Sequence, residues 1–176
     1  MSNDDSSQDF LNEMFLTKNV KFQDNRLLLM GRPGILLNMG IFSSVAGLLL
    51  KYGKKKDLYD AGYSSVTPLV QAYKKIFNED NKKTFDFLSN IILSSGFGKW
   101  NFIFEKDSVI TSTPVSPFAE SYLNTFGAAK EPVCFFLAGV LSSFFDNLFG
   151  KKHTTEEIYC KAAGSSECKF ISKVTE

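Results

Sequence analysis

The chain has 176 residues and a formal net charge of +1. It is long enough for one core of ordinary size and too nearly neutral to be drawn strongly to nucleic acid or an anionic membrane. Its 18 Phe can fill a large core or line an apolar cavity. No secretory signal is visible, so a reducing, cytoplasmic setting is expected, which disfavours disulfides among the three cysteines.

Met1 to Asp9 is polar and acidic and is expected to be disordered, leaving residues 10–176 as a single domain. Phe10 to Phe15 reads as a short apolar patch, one helical turn at most. Asn19 to Met30 reads as a hairpin: Val20-Lys-Phe22, a turn at Asp24-Asn25, then Leu27 to Met30. Pro33 and Gly34 then open a helix from about Gly34 to Tyr52, closed by Gly53. Gly34 to Leu50 is 17 residues and mostly apolar, at the lower limit for a membrane span. It also contains Asn38, Ser43 and Ser44, which favours a buried core or dimer helix.

A second helix is expected from about Asp57 to Asn78, with Leu69, Val70, Tyr73 and Phe77 on its apolar face. Pro68 either kinks it or opens a new helix capped by Thr67. A third, about Asn81 to Ser94, puts Phe85, Leu88 and Ile92 on one stripe, with Phe87 and Ile91 beside it. Gly96-Phe-Gly98 is a turn. Lys99 to Glu105 is the clearest strand, Trp100, Phe102 and Phe104 alternating with Asn101 and Ile103, and Val109 to Val115 is its partner. Ser116 and Pro117 start a short helix to Phe126, and an apolar helix covers Val133 to Phe149. Thr155 to Ala162 and Cys168 to Val174 form a last hairpin that turns at Gly164. This order argues an α+β fold: an antiparallel β-sheet packed against helices.

All the cysteines lie near the end: Cys134, Cys160 and Cys168, with Glu157 23 residues after the first. Folding at Gly164 brings Cys160 opposite Cys168, close enough to share a metal. Cys134 would arrive at the first turn of its helix, where the dipole favours a thiolate. A regular strand points residues 157 and 160 to opposite faces, so Glu157 joins only if the strand bulges or has just begun. Glu156 shares the face of Cys160 but lies about 13 Å along the strand. His153, the only histidine, competes as fourth ligand. A hairpin disulfide and three inert core cysteines are the other readings.

Cys134, the run Glu157-Ile-Tyr-Cys160-Lys-Ala-Ala-Gly164 and Glu167-Cys168-Lys-Phe170 resemble the 4-vinyl reductase domain family, as does Leu58-Tyr-Asp-Ala-Gly62, which is similar to the family's helix with a close-packed glycine. The family includes small archaeal proteins and the sensor domains of phenol- and xylene-responsive activators. The resemblance implies a structural Zn²⁺ held by Cys134, Glu157, Cys160 and Cys168, pinning the C-terminal hairpin. It implies a fold similar to the core subunits of the TRAPP vesicle-tethering complex and to haem-based nitric-oxide sensor domains.

No nucleophile–base pair, paired carboxylates, Rossmann pattern or P-loop stands out, and a four-ligand metal shell has no open position, so an enzyme is not expected. The expectation is a domain that binds or senses a small apolar molecule or lipid. The expected wall is Phe85, Phe87, Trp100, Phe102, Phe104, Phe136 and Val140. The phenol sensors orient the hydroxyl with a helix histidine, and this chain has no histidine before 153, so a hydrocarbon-like ligand is expected instead. The alternative is a dimeric, ligand-free assembly module of TRAPP-like type. The helix from Gly34 to Leu50 is the dimer surface in both readings, and a protein partner is an expectation for either.

Overall fold

Two helices that leave no room for a side chain between them set the architecture. The computed structural model describes residues 9, 12–14, 16, 20–29, 32–35 and 37–175. Most of the tail expected to be disordered, residues 1–8, lies outside these, as do Phe10, Leu11 and Phe15 of the apolar patch. Asp9, Asn12 to Met14 and Leu16 are helical.

Strands β1 (Val20–Gln23) and β2 (Arg26–Leu29) form the expected hairpin. Its turn residues Asp24 and Asn25 have φ of 50° and 60°, the left-handed pair that matches the twist of a tight hairpin. β3 (Arg32–Gly34) pairs antiparallel to β2, giving a three-stranded sheet. The expected helix start at Gly34 is therefore corrected. The Pro33-Gly34 segment extends a sheet, and α1 (Met39–Lys51) begins later, where the Asn38 side chain accepts from the Gly40 N–H.

α2 (Lys55–Ile76) runs unbroken through Pro68. The carbonyl that Pro68 cannot satisfy is that of Ser64, on the exposed side, where water can satisfy it. Thr67 is not a cap. Its hydroxyl donates back to the Tyr63 carbonyl at 3.0 Å. α3 (Asn81–Ser94) has the expected bounds because the Asp80 carboxylate caps it, accepting from Lys83 N–H at 3.0 Å.

The second sheet contains β4 (Asn101–Phe104), β5 (Ser108–Thr113), β6 (His153–Tyr159) and β7 (Cys168–Val174) in the order β4-β5-β7-β6, all antiparallel. α4 (Pro117–Phe126), capped by Ser116, and α5 (Phe135–Phe149) connect its halves. α5 is apolar nearly all round because it is covered on two sides, by α2 and by the inner face of the sheet. Phe144, Phe145, Leu148, Phe170 and Val109 form the core between them.

Gly62 and Gly139 allow the α2–α5 approach. A methyl at Gly62 would overlap the Phe136 carbonyl, and one at Gly139 would overlap the Tyr59 carbonyl. Hydroxyls fasten the same contact. Tyr59 Oη donates to Ser142 Oγ at 2.5 Å, and Ser142 donates to Thr155 Oγ1 at 2.8 Å. Thr155 in turn lies 2.7 Å from Ser172 Oγ, so the chain of bonds runs from α2 through α5 to the sheet.

α1 packs one side on α4, where Gly47 receives the Phe126 ring and Ser43 Oγ meets Ser121 Oγ at 2.8 Å. Its other side is open. Ile41 is 57% exposed and Tyr52 72%, with Val45 and Leu48 between them. Among the described residues no helix is long and apolar enough to cross a membrane.

Gly62→Ala should destabilise the protein by about 1–3 kcal/mol, because the new methyl meets backbone rather than a movable side chain. Thermal denaturation checks this. A Tm lower by several degrees is expected, and an unchanged Tm would mean the helices can part at no cost.

Candidate metal centre and apolar cavity

Cys134 is the N-cap residue of α5 and is fully buried. Its backbone N–H donates to Glu157 Oε2 at 2.8 Å, so the carboxylate caps the helix that presents the sulfur. Glu157 reaches this position through an irregularity in β6. The pairing with β7 shifts between Glu157, opposite Phe170, and Tyr159, opposite Lys169. The bulge takes up one residue, and Glu157 and Cys160 both end up buried on the side of α5.

Cys160 ends the strand. A short 3₁₀ turn (Lys161–Ala163) follows, and Gly164 reverses the chain at φ 93°. Cys168 then opens β7, opposite Thr113 of β5. The turn is anchored from outside, since Lys161 Nζ donates to the Pro114 carbonyl at 2.7 Å and to Glu120 at 2.9 Å.

The ligand atoms of Cys134, Glu157, Cys160 and Cys168 all lie within 4.8 Å of one another. Cys134 Sγ is 3.9 Å from Cys160 Sγ and 4.0 Å from Cys168 Sγ. A tetrahedral ion with bonds of about 2.3 Å would set its sulfurs about 3.8 Å apart, so the spacing suits a shared metal. These are free cysteines, and the disulfide reading is set aside. Glu157 Oε1 is buried with no hydrogen-bond partner among the described residues, which leaves it available as the fourth ligand atom. Lys161 N–H donates to Cys168 Sγ at 3.4 Å, the kind of contact that stabilises a thiolate. His153 does not take part. It begins β6, at the opposite end of the strand, with Nδ1 2.8 Å from the Lys151 carbonyl.

Without a cation the four groups hold little negative charge between them. Burial pushes the Cys134 thiol well above its ordinary range and pushes Glu157 up to about 8, the nearby Cys160 adding to the shift. Cys168 is raised to about 12: contact with Cys134 lowers it, but Cys160 and burial raise it more. Cys160 is lowered, because the thiols of Cys134 and Cys168 donate to it.

A cavity of about 300 Å³ opens above this centre, between α2, α3, α5 and the start of β4. Trp100, Phe102, Phe136 and Val140 line it. Phe85, Phe87 and Phe104 do not. Phe85 packs edge-on to Phe102 and Phe104 at 5.0 and 5.3 Å, and Phe87 packs on Tyr73 and Phe77 at 4.6 and 5.3 Å. The sequence reading missed Val66 and Leu69 of α2 and Leu88 and Ile91 of α3, whose apolar periodicity marks them as buried without saying against what. The cavity offers a ligand almost no polar partner. Trp100 Nε1–H donates to the Phe97 carbonyl at 3.0 Å and Ser65 Oγ to the Gly62 carbonyl at 2.7 Å, while Ser95 is exposed at the rim.

Residues 116–174 match the 4-vinyl reductase domain model. The match takes in all four residues of the metal centre. No curated protein matches the chain. Among solved structures, the phenol-responsive sensory domain of the transcription activator PoxR, determined with phenol, is similar at TM-score 0.78 and 16% identity, over 99% of this chain and 92% of that one. A vinyl-4-reductase family protein from Methanocaldococcus jannaschii is similar at TM-score 0.59 and 19% identity, over 81% and 85%. A trafficking protein particle complex subunit 3 from Naegleria fowleri, covalently bound to palmitic acid, is similar at TM-score 0.55 and 13% identity, over 79% and 96%. At these identities the likeness shows the fold.

Because Cys134, Cys168 and Glu157 are all held towards their protonated forms, a metal must displace their protons as it binds. Apparent affinity for Co²⁺ or Zn²⁺ should therefore rise with pH, by up to about tenfold per pH unit for each proton released. Competition titrations of metal-free protein at two pH values check this. Binding that is independent of pH, or that exceeds one ion per chain, would contradict it.

Proposed function

We propose that residues 10–176 act as one domain that binds or senses a small apolar, hydrocarbon-like molecule, with a structural Zn²⁺ at Cys134, Glu157, Cys160 and Cys168. The observation that carries this reading is the cavity itself, whose indole and hydroxyl donors next to α2 are already used within the protein. Phe136, in its wall, lies one helical step from Cys134, so the metal centre and the binding surface share the first turn of α5. Three thiolates and a carboxylate make a complete tetrahedral shell, which suits a structural ion. Reduced cysteines at such a centre fit a cytoplasmic protein.

PoxR, similar in fold, is phenol-responsive. Phenol does not follow for this chain, since its one histidine is outside the cavity. A buried hydroxyl left without a partner costs about 1–3 kcal/mol, so phenol should bind about ten- to a hundredfold more weakly than toluene. Trp100 is the only tryptophan and stands in the wall, so its fluorescence reports binding directly. Toluene should saturate the change, and Val140→Trp should remove it. A wild-type protein that ignores toluene up to its solubility would sink the binding reading.

One observation favours the second reading, a dimeric assembly module of TRAPP-like type. Ile41, Val45, Leu48 and Tyr52 make an exposed apolar stripe on α1. A homodimer through this stripe is compatible with both readings. Val45→Glu should convert a dimer to a monomer in sedimentation experiments without lowering Tm. A wild-type monomer at micromolar concentration would remove the dimer from either account.

A further inference from the structure

A second cavity, of about 600 Å³, lies at the other end of α5 from the metal centre. The β4–β5 turn, the first turns of α3 and the start of β6 complete it. Phe85 stands between the two cavities. Its ring is 5.0 Å from Phe102 and 5.8 Å from Phe144, both in the wall of the first, and 5.3 Å from Phe104, in the wall of the second. Phe104 and Phe149 meet edge to face at 6.1 Å in the second cavity, with Val109 beside them.

His153 is also in this wall, and its side chain is only 3% exposed. Its Nδ1 lies 2.8 Å from the Lys151 carbonyl oxygen. A carbonyl can only accept, so Nδ1 carries the hydrogen and the neutral ring presents Nε2 as an acceptor. Nε2 has no hydrogen-bond partner among the described residues. A nearly buried acceptor beside three phenyl rings is the complement of an aromatic ring that bears one hydroxyl. Three lysines (Lys82, Lys106, Lys151) against two carboxylates (Glu105, Asp107) line the cavity, which disfavours a cationic amine as the donor.

We propose that this cavity is a second binding site, for a monohydroxylated aromatic molecule seated against Phe104 and Phe149, with its hydroxyl donating to Nε2 of His153. The site is independent of the hydrocarbon cavity on the far side of Phe85 and does not rest on that cavity being filled.

His153 is the only histidine, so its imidazole nitrogens give unambiguous ¹⁵N signals in the intact, metal-loaded protein. The test compares 1-naphthol with naphthalene, which has the same rings without the donor. 1-Naphthol should move the Nε2 resonance saturably and naphthalene should leave it in place. Phe104→Ala should weaken the 1-naphthol response by about tenfold, and saturating toluene should not displace it. No Nε2 shift with 1-naphthol, or an equal shift with naphthalene, would overturn the proposal. Displacement by toluene would do so too, because it would put the naphthol in the first cavity. Failure of toluene to bind at all bears only on the first cavity and leaves the naphthol comparison decisive.

Discussion

The backbone-to-backbone approach of α2 and α5 is the constraint on which the rest of the structure depends. Gly62 faces the Phe136 carbonyl and Gly139 faces the Tyr59 carbonyl, so each helix supplies the glycine where the other comes closest. This seats α5 between α2 and the sheet. It brings Cys134 over the ends of β6 and β7, and it turns Phe136 and Val140 towards the cavity. Buried hydroxyls hold the pairing in register: Tyr59, Ser142, Thr155 and Ser172 are linked in turn, and Thr67 Oγ1 lies 2.6 Å from Ser143 Oγ. At the far end Tyr63 Oη donates to Asp146 at 2.5 Å and Lys152 joins the same carboxylate at 3.0 Å. Those contacts hold the Asp146 carboxyl below its usual range despite the burial that opposes them.

The metal centre fixes what the helix contact leaves free. Its four residues come from a helix start, a bulged strand, a turn and a second strand, so a bound ion would cross-link four pieces of backbone at once. Burying three sulfurs and a carboxylate without a cation is costly, and the chain has no local alternative partner for Glu157 Oε1 among the described residues. Lys161 extends the link outward to Glu120 on α4, and α4 holds α1 through Phe126 and Ser121. The metal centre and the exposed stripe of α1 are thus joined by consecutive packed elements.

Much of this is legible in the residues. Cysteine spacing locates the cluster and puts Cys134 at a helix start. The requirement for a bulge follows from the conflict between residues 157 and 160, and the β6–β7 pairing has that bulge. Asp80 and Ser116 mark their helices because a cap is a local interaction. Other features depend on contacts between distant residues. Pro33-Gly34 has the composition of a helix start, yet pairing with β2 makes it a strand and leaves capping to Asn38. Alternation along β4 shows which residues share a face but not where the cavity ends, so it groups Phe104 with Trp100 and Phe102. Size alone puts Phe87 in the wall, whereas the ring turns towards Tyr73 on α2.

The central claim is that the space between α2, α3, α5 and β4 is an apolar site meant for an apolar occupant. Crystals pressurised with xenon test it most directly, because xenon enters dry hydrocarbon-lined cavities and cannot replace water held by hydrogen bonds. The account predicts a xenon peak bounded by Leu69, Leu88, Phe102 and Val140. Ordered water in that space with no xenon, or side chains collapsed to fill it, would contradict it.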